Sequence, residues 1–347
     1  MSQLNKQFEI FSGTGGVGKT TLATSRAIEL ARSGNRVLLI TIDPAKRLKD
    51  LLKLEVEGEV IRVTDPLSEG ENLELFVELM NPEKTFARMA KESNAEEVLQ
   101  NRIVSILTRP YGGLNEILSI VELNMNYLSG KYDTIVLDTP PGSHFLDFLD
   151  ATQRIQVFFD KSFVDIFNYL GKKTDLTGVN IGKKIFNKVI SSGVKKLLSY
   201  LSKVTGDQFV DEFIEAVLAI YKTKSPFLAA LQLQQTLKDD KYSNWFLVTS
   251  VEQNKLEEAL QLKAHAKGLI TNKSYMVLNK CIESELMKWS PSADHKNYKL
   301  KETLLNRERH LKKSLKDSFE KVLEFPEVIS LSPLDHLKGL TQTWKNC

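Results

Sequence analysis

Short continuous apolar runs, each closed by a turn or a polar residue, recur along the chain. The first, Phe8–Phe11, stops at a glycine-rich segment and reads as a buried strand entering a loop. After Lys19 comes TTLATSRAIELARSG, where Leu22, Ala23, Ala27, Ile28, Leu30 and Ala31 recur at helical spacing and Gly34 supplies a stop. Val37-Leu38-Leu39-Ile40 is a second run, ending at Thr41-Ile42-Asp43-Pro44, so the first 45 residues read strand–loop–helix–strand. Thr134-Ile135-Val136-Leu137 before Asp138 is a third run, followed by the Pro-Pro-Gly turn at 140–142. Phe246-Leu247-Val248 and Tyr275-Met276-Val277-Leu278 make a fourth and a fifth, with helical periodicity over Leu256–Lys267 between them. Strands that are apolar throughout, separated by helices, predict an α/β fold: a doubly wound, mostly parallel sheet covered on both faces.

The middle of the chain breaks this rhythm. From Phe158 to Tyr221 the spacing is helical, with stripes at Phe159, Phe163, Ile166, Phe167 and Leu170, at Val189, Ile190, Val194, Leu197, Leu198 and Leu201, and at Phe209, Phe213, Val217 and Ile220. Residues 171–203 hold eight lysines against one acidic residue, Asp175. This reads as a helical insertion subdomain, 153–240, within a single domain spanning 1–347. A further charged helical stretch is expected over Lys299–Val322.

Composition narrows the class. With 42% hydrophobic and 26% charged residues, the chain has the make-up of an ordinary globular protein and enough apolar surface for a sizeable core. Lys plus Arg number 47 against 44 Asp plus Glu, a balance that points to no nucleic-acid partner. Two cysteines, Cys281 and Cys347, build neither a disulfide framework nor a four-thiolate zinc site, and fit a reducing cytosol. No basic stretch followed by an apolar run opens the sequence, and no spanning helix is expected, so the expected location is cytoplasmic.

Residues 13–20 read GTGGVGKT, which satisfies G-x-x-x-x-G-K-[ST] between a strand and a helix. In such a loop Gly13, Thr14, Gly15, Gly16, Val17 and Gly18 wrap their backbone N–H groups around phosphate oxygens, and the helix start adds its positive end. Lys19 is expected to reach the β- and γ-phosphates, and the Thr20 hydroxyl to ligate Mg²⁺, with Thr21 following. Asp138 closes a hydrophobic strand, where a carboxylate can hold that magnesium directly or through a water. Asp43 ends the strand after the first helix, placed to face a γ-phosphate and orient water, and equally suited to cap a helix starting at Pro44.

GTGGVGKTT, TIDPAKRL and DTPPGSHFLDFLD together resemble the ArsA/GET-type ATPases, a branch of the SIMIBI class of P-loop NTPases. The resemblance implies ATP as substrate, Mg²⁺ as cofactor and ATP hydrolysis to ADP and phosphate. It also implies a dimer that switches between open and closed forms, coupled to a hydrophobic protein or membrane-protein client. Asp43 would activate the attacking water, and Asp138, Thr139, Pro140 and His144 would form switch II. Asn279 and Pro333 resemble adenine contacts, and Glu252 resembles a residue that meets the partner subunit's nucleotide. The helical insertion falls where the family places its client-binding helices.

Three departures qualify that picture. The family's signature lysine, which reaches the partner's phosphates, is Thr14 here, so the expectation is either slow hydrolysis as a homodimer or pairing with a lysine-bearing paralogue. Cys281 stands alone where eukaryotic relatives carry a Cys-x-x-Cys zinc clip, so no such clip is expected, and Cys281 reads as a small buried hydrophobe at a strand end. Clustered cysteines for a metalloid are missing, which argues against an arsenite-pump role. The insertion's stripes fit either a packed core or a groove for an apolar helix, and its lysines a solvated face or, at most, a peripheral membrane contact. The competing functional readings are a weakly hydrolysing ATP-binding scaffold and a ParA/MinD-like partitioning ATPase, the latter disfavoured by the insertion and by TIDPAKRL. His144 falls in the switch II match, and His265, His295, His310 and His336 show no metal-ligand spacing.

Overall fold

A computed structural model describes residues 5–42, 49, 56–63, 72–109, 114–158, 200, 202–268, 270, 274–293, 296–330 and 332–347. Among these, eight strands form one sheet: β1 Phe8–Gly13, β2 Val37–Thr41, β3 Val60–Arg62, β4 Leu75–Leu79, β5 Thr134–Asp138, β6 Ser243–Ser250, β7 Tyr275–Cys281 and β8 Val322–Pro326. Their order is β3-β4-β2-β5-β1-β6-β7-β8. All neighbours pair parallel except β3 with β4, so the one antiparallel strand lies at an edge. Every apolar run expected to be a strand is one. Each is buried along its length apart from the half-buried Lys280 in β7, as parallel strands covered on both faces must be.

The chain leaves β1 through the helix Lys19–Arg32 to reach β2, two places away, and later adds β6 on the other side of β1. The strand order therefore reverses at β1, and the crevice outside the carboxyl ends of β1 and β5 is where such a sheet takes a ligand. The core beneath this edge is aromatic. Phe11, Phe246 and Tyr275 are register partners across β1, β6 and β7, with ring centroids 4.8 and 5.2 Å apart. Trp344, from the helix Pro333–Lys345, meets Phe11 and Phe246 edge-on at 5.9 and 5.4 Å.

A buried polar latch ties that C-terminal helix to the first one. Arg26 is 1% exposed and forks onto Glu9 of β1 at 2.6 and 2.8 Å, while its third nitrogen reaches Glu29 at 2.5 Å. Its guanidinium carbon lies 5.2 Å from the centroid of the Trp344 ring, and Trp344 Nε1 donates to Ser25 Oγ at 3.0 Å. A planar fork with two satisfied carboxylates is what makes a charge tolerable there.

The chain divides into two compact units. The first comprises Met1–Met80, Asn126–Leu149 and Gln234–Cys347, and holds the sheet; the second comprises Asn81–Met125 and Asp150–Leu233. Within the second, Asn81 caps the helix Pro82–Glu92 through its side chain, and Asn101 caps Arg102–Leu107 while donating to Glu212 O at 2.9 Å. Glu122, 3% exposed, accepts from Thr85 Oγ1 at 2.6 Å and pairs with Arg88.

Two details differ from the sequence reading, and a third lies beyond the described residues. The charged helix runs Lys296–Ser318 rather than to Val322, which instead begins β8. On the helix Asp207–Lys222 the buried stripe is Val210, Ile214, Val217 and Ile220, and Phe209 is 37% exposed. The stripes expected at 159–170 and 189–201, and the lysine-rich run from 171 to 199, lie outside the described residues. Among the described residues no helix is long and apolar enough to cross a membrane.

Candidate functional site

A glycine-rich loop, Lys19, two threonine hydroxyls and the Asp138 carboxylate collect at the carboxyl ends of β1, β5 and β2. The segment after β1 turns at Gly13 and runs through Gly18, the N-cap of the helix Lys19–Arg32. Gly13 has φ +152°, and a Cβ there would stand 2.3 Å from the backbone oxygen of Val248 on β6. Gly18 has φ +92°, and its Cβ would stand 2.5 Å from Asn279 Nδ2. Both positions therefore need glycine twice over, for the left-handed backbone and for the space. By contrast, nothing lies within 4 Å of the Cβ positions of Gly15 and Gly16, so the tip of the loop is open. Lys19 is 8% exposed at the first turn of the helix.

Thr20, one residue on, donates from Oγ1 to Asp138 Oδ2 at 2.7 Å, and Thr41 at the end of β2 donates to the same oxygen at 3.0 Å. Asp138 is 2% exposed, and its backbone oxygen accepts from Ile42 N at 3.1 Å. The next residues are stitched back to β1. Thr139 donates from both N and Oγ1 to Phe11 O, at 3.1 and 2.8 Å, and Gly142 N donates to Gly13 O at 3.2 Å. These bonds tie the segment 139–142 to the end of β1.

From β7 come two contacts on consecutive loop carbonyls. Asn279 Nδ2 donates to Val17 O at 2.9 Å, and Lys280 Nζ donates to Gly16 O at 3.2 Å. Cys281, the last residue of the strand, is buried, and burial together with the nearby Glu308 pushes its thiol up to about 12. Thr14 is 5% exposed, and its Oγ1 has no hydrogen-bond partner among the described residues; the same holds for Thr249 Oγ1 and Ser250 Oγ at the end of β6.

The remaining expected site residues are spread more widely. Glu252 is exposed at the N-cap of the helix Gln253–His265 and makes no side-chain cap bond. His144 is exposed on the helix Ser143–Phe158, with Nδ1 3.9 Å from Asp147 Oδ2. Pro333 is exposed at the first position of the C-terminal helix, preceded by Ser332, whose hydroxyl accepts from Leu334 N. Asp43 lies outside the described residues. Thr41 and Lys280 were not singled out by sequence reasoning. Thr41 follows an apolar run, where a hydroxyl at the strand end was the available clue, and Lys280 adjoins Asn279 but carries no motif.

Comparison with known proteins places this geometry in a family. ATPase GET3 of Lachancea thermotolerans (strain ATCC 56472 / CBS 6340 / NRRL Y-8284) is 31% identical over 227 residues, covering 61% of this chain and 64% of that protein. A protein of Aquifex aeolicus (strain VF5), provisionally named arsenical pump-driving ATPase 2, is 31% identical over 156 residues, 44% of this chain and 51% of its own length. ATPase ARSA2 of Chlamydomonas reinhardtii is 35% identical over 140 residues, 40% of this chain and 36% of the relative. The chain therefore spans less than two thirds of the length of these relatives. A family model described as anion-transporting ATPase matches residues 6–325, nearly the whole sequence and every site residue above except Pro333, and the chain belongs to that family.

Proposed function

We propose that this protein is a Mg²⁺-dependent ATPase of the ArsA/GET type, hydrolysing ATP to ADP and phosphate in order to switch a dimer between open and closed forms. The observation that carries the reading is the Thr20–Asp138 contact at 2.7 Å directly beneath a glycine-dependent phosphate loop. A hydroxyl and a carboxylate side by side are hard oxygen donors of the kind Mg²⁺ takes, one or two from protein and the rest from phosphates and water. Thr20 and Asp138 would hold the ion there, Asp138 directly or through a water. Its chemistry would be neutralisation of charge developing on the β- and γ-phosphoryl oxygens.

The chain's own groups then have distinct tasks. Backbone N–H groups of the loop bind the phosphates, and Lys19 adds a point charge toward the β- and γ-positions. Asp43 orients the attacking water. Asn279 and Pro333 border the base, and Glu252 meets the nucleotide of the partner subunit. The 139–142 segment reports the state of the loop because both its ends are bonded to β1 and the loop start. The 153–240 segment is the insertion that couples this switch to an apolar protein client, and the working compartment is the cytoplasm.

A second reading has a specific observation in its favour. Position 14 holds a buried threonine instead of a cation, so the chain would bind ATP yet turn it over weakly, acting with a lysine-bearing paralogue. Both readings are tested by ATP turnover with Mg²⁺ while light scattering follows oligomeric mass, with Asp43→Asn as control. Turnover abolished by Asp43→Asn with an ATP-dependent dimer supports the self-sufficient switch. Tight ATP binding by a monomer without turnover supports the scaffold, and no ATP binding at all overturns both.

A further inference from the structure

The two β7 contacts on the phosphate loop differ in a way that points to an unassigned role. Lys280 is one of only two non-glycine residues among those described with a positive φ, at +62°. A long side chain in the left-handed region is uncommon and is kept where the surroundings demand it. Here the unusual backbone accompanies a contact from the end of a parallel strand to the loop, where Nζ reaches Gly16 O at 3.2 Å. Asn279 takes the next carbonyl, Val17 O, at 2.9 Å.

Each peptide unit has its C=O and the following N–H directed oppositely. A donor fixed on Gly16 O therefore fixes the direction of the Val17 N–H, and a donor on Val17 O fixes that of the Gly18 N–H. Those amides are the ones that a phosphate would use. Lys280 does more than orient. An ammonium on the carbonyl polarises the whole peptide unit and strengthens its N–H as a donor, since charge-assisted bonds are roughly twice as strong as neutral ones. It also brings a positive charge to a loop tip around which Gly15 and Gly16 leave open space, in a loop whose position 14 offers no cation.

We propose that Lys280 is a positioning residue for the phosphate loop, holding the Gly16–Val17 peptide in its anion-binding orientation and raising the affinity for the terminal phosphates of a nucleotide. The proposal rests on the nucleotide-binding reading above and adds to it a residue outside the loop motif.

The test exploits the positive φ. Glycine and asparagine adopt that backbone readily, so Lys280→Gly and Lys280→Asn remove the ammonium without forcing the strand end to rearrange. Calorimetric titration with Mg–ATP and Mg–ADP, at low and high salt, is compared across wild type, both variants and Lys280→Arg, together with thermal unfolding without nucleotide. The expected result is about tenfold weaker Mg–ATP binding in Lys280→Gly and Lys280→Asn, a smaller loss for Mg–ADP and a shallower salt dependence. Lys280→Arg should recover most of the affinity, with the nucleotide-free unfolding midpoint unchanged throughout. Variants that bind Mg–ATP within about twofold of a binding-competent wild type overturn the role of Lys280 alone. A drop in the nucleotide-free midpoint with no recovery in Lys280→Arg also overturns it, by making the residue merely structural. A wild type that binds neither nucleotide overturns the nucleotide reading itself, and the proposal with it.

Discussion

Thr20 and Asp138 meet through a single hydrogen bond of 2.7 Å that joins the start of the first helix to the end of β5. Thr41 shares the acceptor at 3.0 Å, so one carboxylate oxygen ties together the helix, β5 and β2. Asp138→Asn keeps the shape and removes the charge. The Mg²⁺ affinity measured in the presence of nucleotide should fall by about 10–100-fold, the range seen when a group ordering a metal site is lost. Thr41→Val, which leaves Thr20 its acceptor, should cost about 1 kcal/mol in urea unfolding and change Mg²⁺ affinity far less. Equal effects of the two substitutions on Mg²⁺ would count against Asp138 as the metal-side group.

The loop glycines separate into two kinds. Gly13→Ala drives a Cβ to 2.3 Å from a backbone oxygen on β6, which the sheet cannot move. Gly18→Ala meets a side-chain amide at 2.5 Å, and Asn279 can swing away only by giving up Val17 O. Gly13→Ala should therefore lose stability by more than the roughly 1–3 kcal/mol of backbone strain alone. Gly18→Ala should keep more of its stability and still lose nucleotide affinity, because its clash is relieved at the expense of the loop. Titration with Mg–ATP alongside chemical unfolding separates the two, and identical profiles would contradict the distinction.

The central strands were legible because parallel strands buried on both faces read as unbroken apolar runs, as with Val37–Thr41 and Thr134–Asp138. The edges were not. Val60–Arg62 is three residues long with only Ile61 partly buried, and Leu75–Leu79 contains the buried Glu78, which accepts from Asn126 Nδ2 at 3.0 Å. β8 was not expected beyond its first residue, Val322, which closed the expected charged helix, since the ion partners of Glu324, Lys312 and Lys316, lie on that helix and leave no local trace. In the site, the loop motif and Asp138 carried their own spacing. Thr41 and Lys280 act only through strands that the topology brings alongside, which one-dimensional spacing does not encode.

Cys281 offers a check on the packing at the end of β7. Burial, with Glu308 adding to it, pushes its thiol up to about 12, so almost no thiolate forms near neutral pH. A disulfide exchange reagent at about pH 8 should leave Cys281 unmodified in the folded protein and label it on denaturation. Rapid native-state labelling at this position, located by peptide mass mapping, would mean that the end of β7 opens to solvent.

Arg26 tests whether the latch is worth its charge. In Arg26→Met the carboxylate of Glu9, fully buried on β1, loses both of its fork contacts, at 2.6 and 2.8 Å. Removing one partner of a buried pair typically destabilises by about 3–5 kcal/mol. The double variant Glu9→Leu with Arg26→Met should recover part of that loss, because it removes the fully buried Glu9 charge, while Glu29 keeps a hydrogen bond from Ser33 Oγ at 3.0 Å. Urea denaturation of both variants decides the matter, and a double variant no more stable than the single would assign the loss to packing against Trp344 rather than to charge.

Lys312 gives the pH dependence. Its ammonium, 13% exposed, lies 2.9 Å from each of Glu283, Glu308 and Glu324, and Glu308 also accepts from Ile282 N at 2.9 Å. Hydrogen bonds from Lys312 and Arg309 hold the Glu283 carboxyl below its ordinary value of 4.5. For Glu324 burial pushes the other way, and the bonds from Lys312 and Lys316 outweigh it, so that it too is lowered. Lys312 itself is desolvated, yet the three carboxylates raise it above 10.5. A lowered carboxylate contributes stability above its unfolded value and loses it as pH falls through the folded one, whereas a raised lysine contributes below its unfolded value and loses it only as pH rises through the folded one. The cluster should therefore stabilise across neutral pH and fail in acid, below the ordinary carboxylate range. Lys312→Met, which strands the buried Glu308, should cost about 3 kcal/mol near pH 7. The gap to wild type should narrow as the pH falls through the lowered values of Glu283 and Glu324, where the charges that Lys312 pairs with are lost. Unfolding midpoints across that range are the measurement, and a gap independent of pH would show that Lys312 acts by packing its methylene stem rather than by charge.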